Sequence, residues 1–263
     1  VYIRRLVDLL SLIPRHMENN NPDTEFATKA VHSGMLEIEG AASTPIFLSS
    51  TYRLTDEKYK GWAEGLHHSV VYSRISSINS EVVSAKLAAL EGAEDAEVFS
   101  SGMAAISTTL LTLLSKGDHI IATPDCYGGT YALLTDILPR MGIEVTMADI
   151  RDPSSYEQAI QENTKVLYVE TMTNPTLKVC DLSAMAELAK ENNLISVVDN
   201  TFVSPWSCNP IEMGFDIVIH SGTKYLGGHS DLTAGFVAGK KTLVAEILHN
   251  KIYLGGAADP HMC

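Results

Sequence analysis

The chain has 263 residues, 45% hydrophobic and 19% charged, which is enough for one large α/β-sized domain or a domain with an appendage. A net charge of −13 argues against non-specific nucleic-acid binding and against adhesion to anionic membranes, and no apolar run reaches the length of a membrane span. The four cysteines (Cys126, Cys180, Cys208, Cys263) have no C-x-x-C spacing, so neither a disulfide framework nor a zinc site is expected, and a reducing cytoplasm is the expected location.

Residues 1–16 precede Met17, which reads as a natural start; Asp8 interrupts their apolar stretch, so upstream or non-native sequence is expected there, not a targeting segment. Residues 17–76 are polar and turn-rich, with Asn19-Asn-Asn-Pro22 and Thr44-Pro45, and read as an extended arm that packs on another domain or subunit. From there to about 255, helices alternate with short apolar strands. Helices are expected at 82–91, 104–114, 130–141, 156–162 and 182–192. Strands are expected at 97–99, 119–124, 144–148, 166–170, 194–199, 217–220 and 235–238. Strands apolar on both faces between helices of this length predict a doubly wound, mostly parallel α/β sheet. Residues 256–263 read as the start of a truncated C-terminal region.

Ligands of such sheets gather at the carboxyl ends of the strands. Four groups fall there: Ser100–Met103, Glu170, Asp199 and Ser221–Lys224. Ser100-Ser-Gly-Met opens a helix directly after a strand, where free N–H groups bind phosphate and Gly102 permits close approach; the same pattern also serves as an ordinary helix cap. Tyr127, in Cys-Tyr-Gly-Gly-Thr, either stacks on a planar ligand or is a core tyrosine at a helix start. Asp199 ends an apolar strand and needs a cation, either a protonated pyridine nitrogen or an arginine. His67-His68, His220 and His229 lack ligand spacing, so no metal is expected. The chain has no G-x-x-x-x-G-K-[ST], G-x-G-x-x-G or G-x-S-x-G, which speaks against a nucleotide cradle or an α/β-hydrolase.

Lys224, behind Ser221 and Thr223 and 25 residues after Asp199, suits pyridoxal 5′-phosphate (PLP) chemistry. A lysine forms a Schiff base, hydroxyls bind phosphate, and a carboxylate keeps the pyridine nitrogen protonated so that the ring withdraws electrons.

The motifs Tyr72-Ser-Arg74, Ser101-Gly-Met103, Tyr127-Gly-Gly-Thr130, Glu170-Thr-x-x-Asn-Pro175, Val-Asp-Asn-Thr201 and Ser221-x-Thr-Lys-Tyr-x-x-Gly-His-Ser-Asp231 together resemble the Cys/Met-metabolism family of PLP enzymes, over about residues 24–255. Its members include cystathionine γ-synthase, cystathionine γ- and β-lyases, methionine γ-lyase and O-acylhomoserine sulfhydrylases. The resemblance implies a fold-type-I PLP-dependent transferase in which Lys224 holds PLP and shuttles protons. It implies that Asp199 pairs with the pyridine nitrogen, Tyr127 stacks on the ring and Asn174 bonds its phenolic oxygen. Gly102, Met103, Ser221 and Thr223 would hold the phosphate, with Ser101 and Thr201 among the cofactor-binding residues. Tyr72 and Arg74 would reach the phosphate of a neighbouring subunit, so each complete site would need two chains; a homotetramer built of dimers that share active sites is the assembly the resemblance implies, with a dimer left open.

The activity so implied is γ-replacement or γ-elimination on sulfur amino-acid substrates such as cystathionine or an O-acylhomoserine, with methionine γ-lyase, cystathionine β-lyase (β chemistry) or O-acylhomoserine sulfhydrylase activity as the alternatives within the family. A non-catalytic PLP-binding or assembly protein is the alternative outside the enzyme class. Two local departures and one regional one stand out. Ser77-Ile78-Asn79 replaces the family's Asn-Pro-Thr and is expected to loosen the turn that places Arg74. Gly129 stands where methionine γ-lyases often carry cysteine, which disfavours that activity. The family's C-terminal domain, with its substrate-carboxylate arginine, has no counterpart here.

Overall fold

A computed structural model describes residues 25–63 and 70–263. Residues 1–16 and His67-His68 lie outside the described residues.

Seven strands form one sheet: β1 (Asp95–Phe99), β2 (His119–Ala122), β3 (Glu144–Met147), β4 (Thr164–Glu170), β5 (Ile195–Asp199), β6 (Ile217–Ser221) and β7 (Gly235–Gly239). Their order is β1-β7-β6-β5-β4-β2-β3, and all run parallel except β7, which is antiparallel to both β1 and β6. The sheet is thus mostly parallel, as the strand composition predicts.

The helices are α1 (Phe26–His32), α2 (Asp56–Ala63), α3 (Ile78–Glu91), α4 (Gly102–Leu113), α5 (Gly128–Ala132), α6 (Pro153–Ala159), α7 (Leu182–Glu191), α8 (Ser204–Ser207) and α9 (Lys241–Leu254). Helix α5 runs on through a π-helical turn at Leu133–Ile137 into Leu138–Arg140. Side chains alternate across each strand, and the core divides accordingly. Val166, Tyr168, Val197, Ile217 and Ile219 pack with Ala105 and Leu110 of α4, Leu134 beyond α5 and Ile247 of α9. On the other face, Leu167, Val169, Val198 and Val218 pack with Tyr156 of α6 and Met185 of α7. Leu87 of α3 joins Val98 and Phe236 on that second face.

Helix starts differ from expectation where a polar side chain, not an apolar period, sets the boundary. Helix α3 begins four residues early because Ser77 and Ser80 form a reciprocal capping box, Ser80 N–H donating to Ser77 Oγ at 3.1 Å and Ser77 N–H to Ser80 Oγ at 2.8 Å. Asn79, 5% exposed, accepts from Phe47 N–H at 2.9 Å and donates to Pro45 O at 3.1 Å. The Ser77-Ile78-Asn79 turn is therefore tied down on both sides, not loosened. Helix α6 begins at Pro153 because Asp152 caps Ser154 N–H at 3.0 Å.

The polar stretch before α3 contains the short helices α1 and α2. The last residues pack back on the sheet: Ser100 N–H donates to Gly256 O at 2.9 Å, and Ala258 joins the cluster around Val98.

Candidate active site

Parallel β4, β5 and β6 end side by side, with Glu170 opposite Asp199 and Asp199 opposite Ile219. Alternation sends Glu170, Asp199 and Ser221 to the face covered by α4 and α5. Because β7 is antiparallel, β1 also ends at this edge, and Phe99 and Ser221 both pair with Gly235.

Asp199 is buried, and its Oδ1 accepts from Thr201 N–H at 2.9 Å and from the Thr201 hydroxyl. Among the described residues, Asp199 Oδ2 accepts no protein hydrogen bond. Thr201 Oγ1 in turn accepts from Ser221 N–H at 2.8 Å, so one hydroxyl joins the ends of β5 and β6. Burial raises the Asp199 carboxyl above its ordinary range, while the Thr201 bonds and, more weakly, His220 pull it back.

Ser101 caps α4, its Oγ accepting from Ala104 N–H at 3.0 Å. The cap leaves the Gly102 and Met103 N–H groups at the helix start, and Gly102 lies against Ser221. Lys224 follows on the turn after β6, its N–H donating to Ser221 O at 3.1 Å, and its side chain is exposed. The Thr223 hydroxyl is engaged by Ala234, whose N–H donates to it at 3.2 Å. Tyr127 precedes α5 and is half exposed; a Cβ on Gly129 would lie 2.7 Å from its Cε1 and 2.9 Å from Met103 Sδ, so these three residues converge. A cysteine at position 129 would displace one of them.

Glu170 is a member of the constellation that strand-end position alone does not explain. It is 3% exposed; Oε1 accepts from Tyr127 N–H at 2.9 Å and Oε2 from Asn174 N–H at 3.1 Å. Burial and the neighbouring Asp199 push its carboxyl up to about 8. Its place at a strand end is legible in the sequence, but its two N–H partners, one four residues and the other 43 residues away, are visible only in the fold. Tyr72 and Arg74 lie elsewhere on the chain: Arg74 Nη1 donates to Ile252 O on α9, and its guanidinium sits 5.3 Å from the Tyr72 ring.

A family model described as Cys/Met metabolism PLP-dependent enzyme matches residues 27–263. The chain belongs to the Cys/Met metabolism family of PLP-dependent enzymes. Among similar family members, the L-methionine γ-lyase of Porphyromonas gingivalis is 43% identical over 225 residues, covering 84% of this chain and 56% of that enzyme. The cystathionine γ-lyase of Bacillus subtilis is 43% identical over 224 residues, covering 84% of this chain and 57% of that enzyme. The crystal structure of cystathionine γ-lyase from Lactobacillus plantarum complexed with L-serine superposes with a TM-score of 0.84 at 39% identity, covering 91% of this chain and 61% of that one. The chain thus spans under two thirds of the length of each of these family members.

The residues present fit the family's cofactor. A buried carboxylate with an unoccupied acceptor oxygen suits a ring cation. Gly102, whose missing Cβ keeps space beside Ser221, leaves two helix N–H groups and a hydroxyl for a phosphate dianion. Lys224 supplies an exposed amine on the adjoining turn. Among the described residues no helix is long and apolar enough to cross a membrane.

Proposed function

We propose that this chain carries the PLP-binding part of a transsulfuration enzyme, acting by γ-elimination or γ-replacement on cystathionine or an O-acylhomoserine. The observation that carries this reading is the continuous contact path Asp199–Thr201–Ser221–Gly102, which joins a cation-seeking carboxylate to a phosphate-seeking helix start beside Lys224.

Bound PLP supplies an electron sink for negative charge developing at the substrate's α carbon. Lys224 would be the amine that holds the cofactor, and the same exposed amine would serve as the base that carries protons between substrate carbons. Asp199 keeps a positive charge on the ring nitrogen, and its burial strengthens that pairing. The N–H groups of Gly102 and Met103, with the hydroxyls of Ser221 and Thr223, anchor the phosphate, and Ser101 and Thr201 hold those donors in place. Tyr127, half exposed at the start of α5, would cover the ring and offer its hydroxyl to the departing group, and Asn174 would bond the ring's phenolic oxygen.

Tyr72 and Arg74 complete the site of a second copy, so each whole site needs two chains, in a dimer or in a homotetramer built of such dimers. Small sulfur amino acids are the partners; nucleic acid and membrane are not. The location is cytoplasmic, in keeping with four free cysteines.

Mass spectrometry of products tests the reading. The PLP-loaded protein is incubated with cystathionine, and with an O-acylhomoserine in the presence and absence of cysteine. Cystathionine formed only when cysteine is supplied identifies γ-replacement; 2-oxobutanoate from either substrate identifies γ-elimination. A protein that binds PLP and yields neither overturns the proposed activity.

A further inference from the structure

We propose that Glu170 is a positioning residue that ties the Tyr127 turn and the Asn174 turn to the end of β4, holding two separate ring-facing loops at a fixed spacing. The inference rests on the site's being a PLP site, and it assigns a role to a residue that needs no contact with the cofactor.

Two peptide N–H groups, from residues 43 and 4 positions away, converge on the two oxygens of one carboxylate. An ionised carboxyl is a pure acceptor at both oxygens, whereas a glutamine must set an NH₂ group against one of the two N–H donors. Glu170 is 3% exposed, so these bonds are shielded from water and stronger than surface contacts. A second strap joins the same loops: Lys178 pairs with Asp125, but at 28% and 22% side-chain exposure it is the weaker tie.

Glu170 lies beside Asp199 on the paired strand β5, Tyr168 on its own strand and Cys126 before the Tyr127 turn, with Tyr156 of α6 beneath the opposite face of the sheet and the Asp125–Lys178 pair at the rim. Burial pushes the Cys126 thiol up to about 12 and both tyrosines well above their usual range, so these three stay neutral near physiological pH. Glu170 and Asp199 are the pair that titrates. A cation against Asp199 favours the ionised form of Glu170, the form that accepts both N–H groups. Cofactor binding is thereby linked to firm closure of the brace.

The test compares wild type with Glu170→Gln and Glu170→Ala. PLP affinity and the visible circular dichroism of bound cofactor are followed across neutral pH, and amide hydrogen exchange is measured without PLP. We expect the Gln variant to bind PLP about ten- to a hundredfold more weakly. Its cofactor dichroism should fall and part of the pH dependence of affinity should disappear, while the far-UV spectrum stays unchanged. Exchange at the Tyr127 and Asn174 amides should quicken in the cofactor-free variant. Faster exchange at both amides sustains the brace even if wild type takes up no PLP, a result that would remove the proposed function instead. Should the Ala variant fail to fold, the isosteric Gln variant decides. Wild-type exchange at both amides in Glu170→Gln overturns the proposal, as does unchanged affinity with an unchanged dichroic band.

Discussion

A Cβ placed on Gly102 would sit 2.9 Å from the Cβ of Ser221, closer than two such carbons approach in practice. The start of α4 and the end of β6 therefore meet only because position 102 has no side chain. Gly102 is the first residue of its helix and needs no left-handed backbone, so alanine there costs the helix nothing intrinsically. Gly102→Ala should still cost about 1–3 kcal/mol of stability, because the start of α4 must move off Ser221. It should weaken PLP binding by about tenfold or more, through displacement of Ser221 from the phosphate donors. Absorbance titration with PLP, alongside a melt of the same samples, checks both halves.

The Thr201 hydroxyl is placed differently, since it works between two strands. It donates to Asp199 Oδ1 and accepts from Ser221 N–H. Thr201→Val keeps the shape and removes both bonds, with an expected loss of about 1–3 kcal/mol of stability. The Thr201 hydroxyl bond is the larger of the two Thr201 bonds that hold the Asp199 carboxyl down, so its loss should raise the carboxyl further while the Thr201 N–H bond remains. Denaturant unfolding of wild type and variant measures the first effect, and carboxyl titration by NMR the second.

What could be read before folding divides along physical lines. Most strands were legible because they are short and buried on both faces, which leaves near-continuous apolar runs such as Val166–Val169 and Val197–Val198; the edge strand β3 is the exception, with Glu144 exposed and the rest half-buried. Asp199 and Ser221 were legible because each ends such a run, and Lys224 because it follows Ser221 and Thr223 on the turn after one. Helix α9 escaped notice: its N-terminus has no side-chain cap, and buried Lys251 breaks its apolar stripe. The π-helical turn after α5 left no periodic trace either. Glu170 was visible as a strand-end residue but not as a brace, because its donors come from Tyr127 and Asn174, and no local pattern announces a contact across 43 residues.

The two carboxyls make a pH prediction whose sign follows from linkage. Glu170 has an ordinary value of 4.5 and stands at about 8 in the folded chain, and Asp199 is also raised. A carboxyl raised by folding adds stability that is fully present below its unfolded value and is lost as pH climbs through the folded value. Without cofactor, stability should therefore fall as pH rises from about 4.5 to about 8. Glu170→Gln should flatten that decline. Urea unfolding at a series of pH values checks it, and a slope unchanged by the substitution would count against the coupled buried pair.

Lys251 offers a test of the scaffold away from the site. Its Nζ donates to Glu97 Oε1 at 2.6 Å and to Val98 O at 3.3 Å, with both side chains buried, and this clamps α9 to β1. Lys251→Met strands the Glu97 carboxylate in the core and should cost about 3–5 kcal/mol. The double variant Glu97→Gln, Lys251→Met removes the orphaned charge and should recover much of that loss. A double-mutant cycle by chemical denaturation reads the coupling, and additive losses would show that the pair is not energetically linked.

The shared-site assembly proposed for Tyr72 and Arg74 has its own signature in mixed chains. Arg74 here rests on Ile252 O of its own α9, and its guanidinium stacks by Tyr72. If Arg74 serves the phosphate of a second copy, Arg74→Ala and Lys224→Ala chains should each be inactive alone. Each mixed dimer then holds one intact site, with Lys224 from one chain and Arg74 from the other, beside one doubly defective site. Co-refolding equal amounts should restore about a quarter of wild-type turnover, since half the dimers are mixed and half their sites are whole. Turnover that stays at the level of the single variants after subunit exchange, shown complete by native mass spectrometry, would mean that Arg74 acts within its own chain.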